Sequence, residues 1–311
     1  MWDIFLKTLP FFMLIALGYG SGRTKFFSAE ATAYLTKFVF YFALSAMLFR
    51  FSANLSLDAI LDWHFVFAYL AGTSVVYVLA TLVALRRNRP MTEAAVEAQC
   101  AVIGNVGFLG IPMLVLLLGE PAIGPIMLVL AVDLIVFGSL IVILITGSRD
   151  GRMSPVILVT VFTGLIKNPM IVSITLGLTV SSLGWTVPVP VNEFMVLLGA
   201  AATPGALFAI GASLATKSAE RVAVAGWLTF CKLVLHPAAV AIAALLVFTL
   251  DPYAAGVMIA AAALPVAGNV FILAQHYRVA PSRVSASILL STAASVVTVS
   301  LVIGWVTGFM G

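Results

Sequence analysis

The sequence contains two similar motifs, Gly104-Asn-Val-Gly-Phe-Leu-Gly-Ile-Pro112 and Leu264-Pro-Val-Ala-Gly-Asn-Val270. Each combines Gly, Asn and Pro in the middle of a long apolar segment. Proline removes a backbone donor and clashes with the preceding turn, and glycine loosens the helix, so both segments are predicted to break. Backbone groups freed by a break cannot face lipid, and they must be buried or line a water-filled cavity.

The composition of the chain requires a lipid environment. Of its 311 residues, 62% are hydrophobic and 9% are charged, whereas soluble domains carry about 25% charged residues. The net charge of +4 is typical of basic cytoplasmic loops, and nucleic-acid binding is not expected. Cys100 and Cys231 lie inside apolar segments without CxxC spacing, so they are interpreted as packing residues rather than as a disulfide or a metal site.

Apolar segments of sufficient length predict an all-α membrane protein with about ten transmembrane helices. The first of them is interpreted as retained rather than as a cleaved signal peptide, because it has a repeat partner later in the chain. The apolar run 155–166 either begins the sixth span or lies along the membrane interface. The predicted spans are residues 4–22, 31–53, 62–85, 92–118, 122–147, 168–185, 191–215, 222–249, 252–277 and 284–308.

The Lys and Arg residues predict the orientation of the chain. Twelve of the sixteen fall in the loops after the odd-numbered spans, and positive charge resists export across the membrane. The odd-numbered loops are therefore predicted to be cytoplasmic and both termini extracytoplasmic. The twelve residues are Arg23, Lys25, Arg86, Arg87, Arg89, Arg149, Arg152, Lys167, Lys217, Arg221, Arg278 and Arg283.

Four successive predicted spans have matching positions in the second half of the chain. Because each half holds five spans, the second half inserts upside down relative to the first. We therefore predict two inverted five-helix repeats, residues 1–150 and 151–311, in one membrane unit. The matched pairs are Pro10 with Pro169, Gly18 with Gly177 and residues 45–49 with 204–208 at an offset of 159, and Trp63 with Trp227 and Gly104 with Gly268 at an offset of 164.

The helix ends created by the two breaks favour an anionic ligand. Half-helices beginning near Pro112 and near Pro265 would direct unsatisfied N–H groups and positive dipole ends inward. Such ends attract a carboxylate, and the two asparagines add uncharged donors and acceptors. The alternative is that these residues only shape two packed helices. The candidate substrate-binding residues are Gly104, Asn105, Pro112, Pro265, Gly268 and Asn269.

Ionisable residues inside the predicted spans are the candidates for ion coupling, since each is costly in hydrocarbon. Asp133 lies in the fifth span without a charged neighbour in sequence, and it is predicted either to take up a coupling ion or to be a carboxyl held for structure. Lys232 in the eighth span either pairs with Asp133 or snorkels to the cytoplasmic face, and snorkelling is expected. No cofactor is expected; a proton or sodium is the candidate coupling ion, and transport without coupling is the alternative.

With these motifs the whole chain resembles the auxin efflux carrier family, in particular its short bacterial members. The specific pieces are the stretch ending at Pro112, the segment from Pro265 to Asn269, and Lys232-Leu-Val-Leu-His-Pro237. The resemblance implies a fold like that of bile-acid sodium symporters, in which the fourth and ninth helices break and cross at the substrate. It also implies a bacterial inner membrane, a homodimer, and transport of malate, malonate or related carboxylates, or of auxin in plants.

The chain departs from the family pattern at Ser45. A proline is expected at this point of the second span, as the repeat partner Pro204 has. Ser45 is predicted either to offer its hydroxyl to the substrate or only to leave the helix without a kink. The long central loop of the plant relatives is absent, which argues against phosphorylation control like theirs.

Together these patterns predict a secondary active transporter of a small organic anion that works by alternating access. An uncoupled channel or facilitator, or a membrane receptor for such an anion, is the alternative. An enzyme is not expected, because the sequence has no nucleophile–base motif, metal-binding motif or nucleotide-binding loop.

Overall fold

The computed structural model of the chain describes residues 2–55, 62–150, 155–215 and 222–310. Its regular secondary structure is helical within these ranges, apart from an isolated bridge between Gly104 and Val266. The helices before the centre of the chain are α1 Trp2–Arg23, α2 Ala29–Ala53, α3 Trp63–Arg86, α4 Met91–Val102, α5 Val106–Leu118 and α6 Glu120–Arg149. Those after it are α7 Pro155–Ile166, α8 Pro169–Ser182, α9 Val189–Leu214, α10 Val222–Val247, α11 Pro252–Ala262, α12 Gly268–His276 and α13 Pro281–Val306.

The long helices have the length and composition of membrane spans. Within the described ranges, seven of them (α1, α2, α3, α6, α9, α10 and α13) are long and apolar enough to cross a bilayer, or eight if α7 and α8 form one bent span. Their outward surfaces are apolar, as shown by Met13, Val75 and Leu246, whose exposed fractions are 61%, 63% and 74%. The chain is therefore an all-helical, multi-pass membrane protein.

The apolar run before the sixth predicted span forms a helix of its own, which is bent relative to the helix of that span. Helix α7 covers the apolar run 155–166, and its axis is bent by 65° from that of α8. The bend has a local cause, because Asn168 caps α8 by accepting a hydrogen bond from the Met170 N–H and Pro169 occupies the first helical position. Proline at that position starts a helix but cannot continue the preceding one.

Glycines allow two pairs of helices to pack closely. A Cβ on Gly18 in α1 would overlap the Phe208 carbonyl of α9, and a Cβ on Gly177 in α8 would lie 2.6 Å from the Phe49 carbonyl oxygen of α2. The two contacts are related to each other by the sequence offset of 159 residues that relates Gly18 to Gly177 and Phe49 to Phe208. Each half of the chain thus supplies one glycine helix and one partner helix.

Candidate functional site

Two broken helices cross at the centre of the molecule. Helix α4 ends before residues 103–105, and α11 ends before residues 263–267. The breaks run antiparallel, with the Asn105 N–H donating to the Pro265 carbonyl at 2.8 Å and the Ala267 N–H donating to the Ile103 carbonyl at 3.0 Å. Each break therefore satisfies backbone groups that the other has freed, as a membrane interior requires. Both predicted segments break in the structure, and the two breaks pair with each other; we call residues 103–105 and 265–267 the crossover.

The crossover is closed in this conformation. Gly104 and Pro265 are buried, while Asn105 and Val266 are 5% and 1% exposed. A third element covers it, because the Ser291 hydroxyl of α13 accepts a hydrogen bond from the Val266 N–H at 3.1 Å. A ligand can reach these groups only after the surrounding helices move.

The helix after the first break begins at Val106, and the prediction that it begins near Pro112 is wrong. A π-helical turn, Val106–Gly110, starts the helix, and the Asn105 carbonyl accepts from the Leu109 and Gly110 N–H groups. Pro112 is then the second residue of the regular α-helical part. A proline inside a membrane helix is tolerated where a local π-helical adjustment satisfies the freed backbone groups, so the helix passes through the proline instead of starting at it. Pro112 is half-buried and lies beyond the crossover.

The helix after the second break begins at Gly268, three residues beyond Pro265. Asn269 therefore lies in its first turn, and its Oδ1 atom is buried without a hydrogen-bond partner. A Cβ on Gly268 would meet no other atom within 4 Å, so there is free space beside this helix start. The structure thus brings a positive helix end, an unused amide oxygen and an unfilled volume together.

The Ser45 hydroxyl is engaged within its own helix. It donates to the Phe40 carbonyl at 3.2 Å, across a π-helical turn at Val39–Ala43. The same segment packs on α5, where the Phe40 and Phe108 rings stack with centroids 6.3 Å apart. Ser45 thus lies in a segment that contacts the helix after the first break, and a role in substrate binding stays a prediction.

Lys232 is fully buried, with an exposed fraction of 0%, and the expectation that it snorkels is wrong. Its ammonium group donates to the carbonyl of Ala262, the last residue of α11, and lies 3.0 Å from His236 Nδ1. A Cβ on Gly104 would lie 3.3 Å from the same nitrogen. The side chain does not reach the membrane surface because it starts in the middle of α10, where α11 and the crossover surround it.

Asp133 is also buried, and its two oxygens differ in their partners. Oδ1 accepts a hydrogen bond from the Tyr69 hydroxyl at 2.8 Å, whereas Oδ2 is buried without a partner. The ion pairs of the described residues do not join Asp133 to Lys232. A direct ion pair between Asp133 and Lys232, the alternative to snorkelling, is therefore not formed.

Polar side chains of α3 connect the two charges. The Thr73 hydroxyl lies 3.1 Å from His236 Nε2, and the Tyr69 ring contacts the His236 ring edge-to-face with centroids 6.0 Å apart. We call Tyr69, Thr73, Asp133, Lys232 and His236 the polar network. Both charged members lie in π-helical turns, Asp133–Phe137 and Cys231–Leu235, and such turns are frequent at functional sites.

A second charged cluster was not predicted from the sequence. Glu97 in α4 is fully buried, and it accepts from Arg87 and, at 2.5 Å, from Arg283, which also donates to Glu93 at 3.0 Å. Arg283 was expected in a cytoplasmic loop, but it lies in the first turn of α13 and is 6% exposed. The signal that could have located the cluster is the pair of glutamates four residues apart, which share one helix face.

The fold and the site together define a class of protein. Broken helices that cross inside a multi-pass membrane protein, next to buried charges, are typical of membrane transporters. The family model described as "Membrane transport protein" matches residues 3–303. The chain belongs to this family, that of the auxin efflux carriers, and the resemblance is confirmed.

Curated relatives match over nearly the full length. A protein of Rhizobium meliloti (strain 1021) named "Putative malonate transporter" is 32% identical over 296 residues, which cover 94% of this chain and 92% of the relative. The "Uncharacterized transporter YfdV" of Escherichia coli (strain K12) is 27% identical over 304 residues, covering 94% of each chain. The family and these names indicate a transporter rather than an enzyme.

Proposed function

We propose that this protein is a secondary carrier of a small carboxylate, such as malonate, malate or an auxin-like acid, and that it works by alternating access. The observation that carries the proposal is the crossover, from whose two sides the helices α5 and α12 begin. Their starts supply N–H groups and positive dipole ends, which attract carboxylates. The name of the Rhizobium meliloti relative supports malonate as the first substrate to test.

Asn269 is the proposed substrate contact with the best support. Its Oδ1 atom is buried without a partner, so it can accept a hydrogen bond from a hydroxyl or N–H group of a ligand, while the amide N–H groups of the same side chain can donate to a carboxylate. Asn105 lies on the other side of the crossover and is 5% exposed. We propose that the two side chains orient the carboxylate and that the two helix starts balance its charge.

The closed crossover supports alternating access. Asn105 and Pro265 are buried in this conformation, so the crossover is separated from both membrane surfaces. Helices that rock about a fixed central site would open it to one side at a time. Coupling to protons or sodium through Asp133 and Lys232 belongs to the same proposal.

The proposed architecture has ten spans in two inverted repeats, residues 1–150 and 151–311. The broken pairs α4–α5 and α11–α12 each count as one span, and α7–α8 counts as the sixth. The glycine contacts of Gly18 with Phe208 and of Gly177 with Phe49 support the repeats, because one offset relates them. We further propose a homodimer in a bacterial inner membrane with both termini outside the cytoplasm, as the charge distribution favours.

Transport in liposomes tests the substrate site. Asn105→Ala and Asn269→Ala are each expected to reduce radiolabelled malonate exchange by about tenfold or more, because a hydrogen bond to a charged group contributes about 1.5–3 kcal/mol and about 1.4 kcal/mol is tenfold. Asn54→Ala is the matched control, since Asn54 is exposed at the end of α2. Elution as a single folded peak must be the same for all variants.

Exchange that unlabelled malonate on the opposite side accelerates would distinguish a carrier from an uncoupled channel. Unimpaired exchange in both asparagine variants would overturn the site assignment. No binding or exchange of malonate, malate or indole-3-acetate by the folded wild-type protein would overturn the proposed substrate class. Stabilisation of the purified protein against heating by the same acids gives a second readout.

A further inference from the structure

The carbonyl end of α11 is occupied by a positively charged side chain of the protein itself, Lys232. Carbonyl groups at the end of a helix carry partial negative charge, and in transporters with broken helices such ends coordinate coupling sodium ions. Here the Ala262 carbonyl at the α11 end accepts from the Lys232 ammonium group. A sodium ion bound to the same carbonyl would lie against that ammonium group, and two like charges so close in apolar surroundings repel strongly.

Asp133 supplies a place for a proton in the same network. Its Oδ2 atom is buried without a partner, while Oδ1 is held by Tyr69. A carboxylate oxygen left without a donor in the protein interior is unfavourable as an anion. Protonation of Oδ2 removes that charge and needs no space beyond the oxygen itself.

The titratable groups packed near Asp133 and Lys232 lie on helices α3, α10 and α4. Helix α3 contributes Tyr69, and α10 contributes His236, which contacts Lys232. Helix α4 contributes Cys100 and Glu97, and Glu97 is already paired with the arginines of the second cluster. Asp133 is thus the carboxylate of the polar network that the arginines of the second cluster do not engage.

We propose that the carrier is driven by protons and not by sodium, with Lys232 as a built-in cation at the α11 end and Asp133 as the group that takes the coupling proton. The inference rests on the proposed carboxylate transport. Hydronium in the water phase gives a proton to Asp133 Oδ2: one hydronium O–H bond breaks, the carboxyl O–H bond forms, and a water molecule is left. The network then carries the unbalanced positive charge of Lys232 beside Gly104, at the crossover. An anion is bound more strongly in that state, so proton and carboxylate travel together.

The test uses the full-length protein in liposomes with radiolabelled malonate, and with the membrane potential clamped by valinomycin and equal potassium. An inward gradient of about one pH unit should drive about tenfold accumulation if one proton accompanies each substrate. An inward sodium gradient of similar size, at equal pH, should drive none. Protein-free liposomes correct for passive entry of the acid.

Variants separate coupling from substrate binding. Asp133→Asn is expected to abolish pH-driven accumulation while malonate exchange persists, because the amide imitates the protonated carboxyl. Asp133→Glu keeps a carboxyl and should keep pH-driven accumulation. Asn269→Ala should lose both activities, since its defect lies in the substrate site.

The outcomes distinguish the two proposals. Sodium-driven accumulation in the wild type, or pH-driven accumulation in Asp133→Asn, would overturn the inference and leave carboxylate transport intact. Wild-type exchange with no response to either gradient would also overturn it and indicate a facilitator. Absence of wild-type exchange would refute the proposed function and the inference with it. The wild-type sodium measurement decides independently of whether any variant folds.

Discussion

Neutralising Glu97 is expected to destabilise the protein strongly. Its carboxylate is fully buried and accepts from both Arg87 and Arg283. In Glu97→Gln, Arg283 would remain 6% exposed with Glu93 as its remaining carboxylate, and the Glu93 side chain is 27% exposed. Breaking a buried ion pair from one side costs about 3–5 kcal/mol. Because Arg87 is partly exposed and can be solvated, the lower end of about 3 kcal/mol applies.

The assay is the folded fraction that elutes as a single peak after heating in detergent. A loss of about 3 kcal/mol should lower the melting temperature by about 6 °C or more, at roughly 2 °C per kcal/mol. Glu93→Gln is the matched control on the same helix, and its partly exposed pair should cost at most about 1 kcal/mol. The double variant Glu97→Met, Arg283→Met should recover most of the loss, because apolar side chains can replace a buried pair.

Equal melting temperatures for Glu97→Gln and Glu93→Gln would refute this reasoning. So would a Glu97→Gln protein whose melting temperature lies within about 2 °C of the wild type. Either result would mean that water or another group compensates the Arg283 charge. The ion pairs of Glu97 with Arg87 and Arg283, which join α4 to the end of α3 and to α13, would then contribute little to the stability of the fold.

The remaining predictions concern close packing and the crossover. Gly20→Ala should stabilise the protein by about 0.5–1 kcal/mol and so raise its melting temperature, because alanine favours a helix more than glycine does. A Cβ on Gly20 meets no atom within 4 Å. Gly18→Ala in the same helix should lower the melting temperature, since its Cβ would overlap the Phe208 carbonyl; a rise in both variants would contradict the close packing. Ser291→Ala should cost about 1–3 kcal/mol in the same assay by leaving the Val266 N–H unpaired, and an unchanged melting temperature would show that another acceptor replaces the hydroxyl.

The breaks were predictable because their cause is local. Proline and glycine act on the backbone of their own turn. Gly104 and Pro265 therefore predict irregular backbone whatever tertiary contacts surround them. Where the following helix starts is not a local property to the same degree. The helix starts with the π-helical turn Val106–Gly110 and not at Pro112. No residue in that turn predicts this start.

The burial of the charged side chains, in contrast, could not be predicted from the sequence. Lys232 is predicted to snorkel, because a long basic side chain usually reaches the membrane surface, and the charge pattern places Arg283 in a cytoplasmic loop. Their burial depends on partners far along the chain, the Ala262 carbonyl for Lys232 and Glu97 for Arg283. Sequence periodicity places a residue on a helix face, but it does not say which helix will pack there.

The amino-acid sequence alone determined that this protein is helical, that it lies in a membrane, and that two of its apolar segments break around Gly-Asn motifs. These properties follow from hydrophobicity and backbone chemistry, which act within a few residues. The tertiary structure alone decided that the breaks cross at Gly104 and Val266, that Lys232 occupies the end of α11, and that Asp133 keeps one oxygen free. Those facts depend on which distant helices meet, and packing in three dimensions sets that choice.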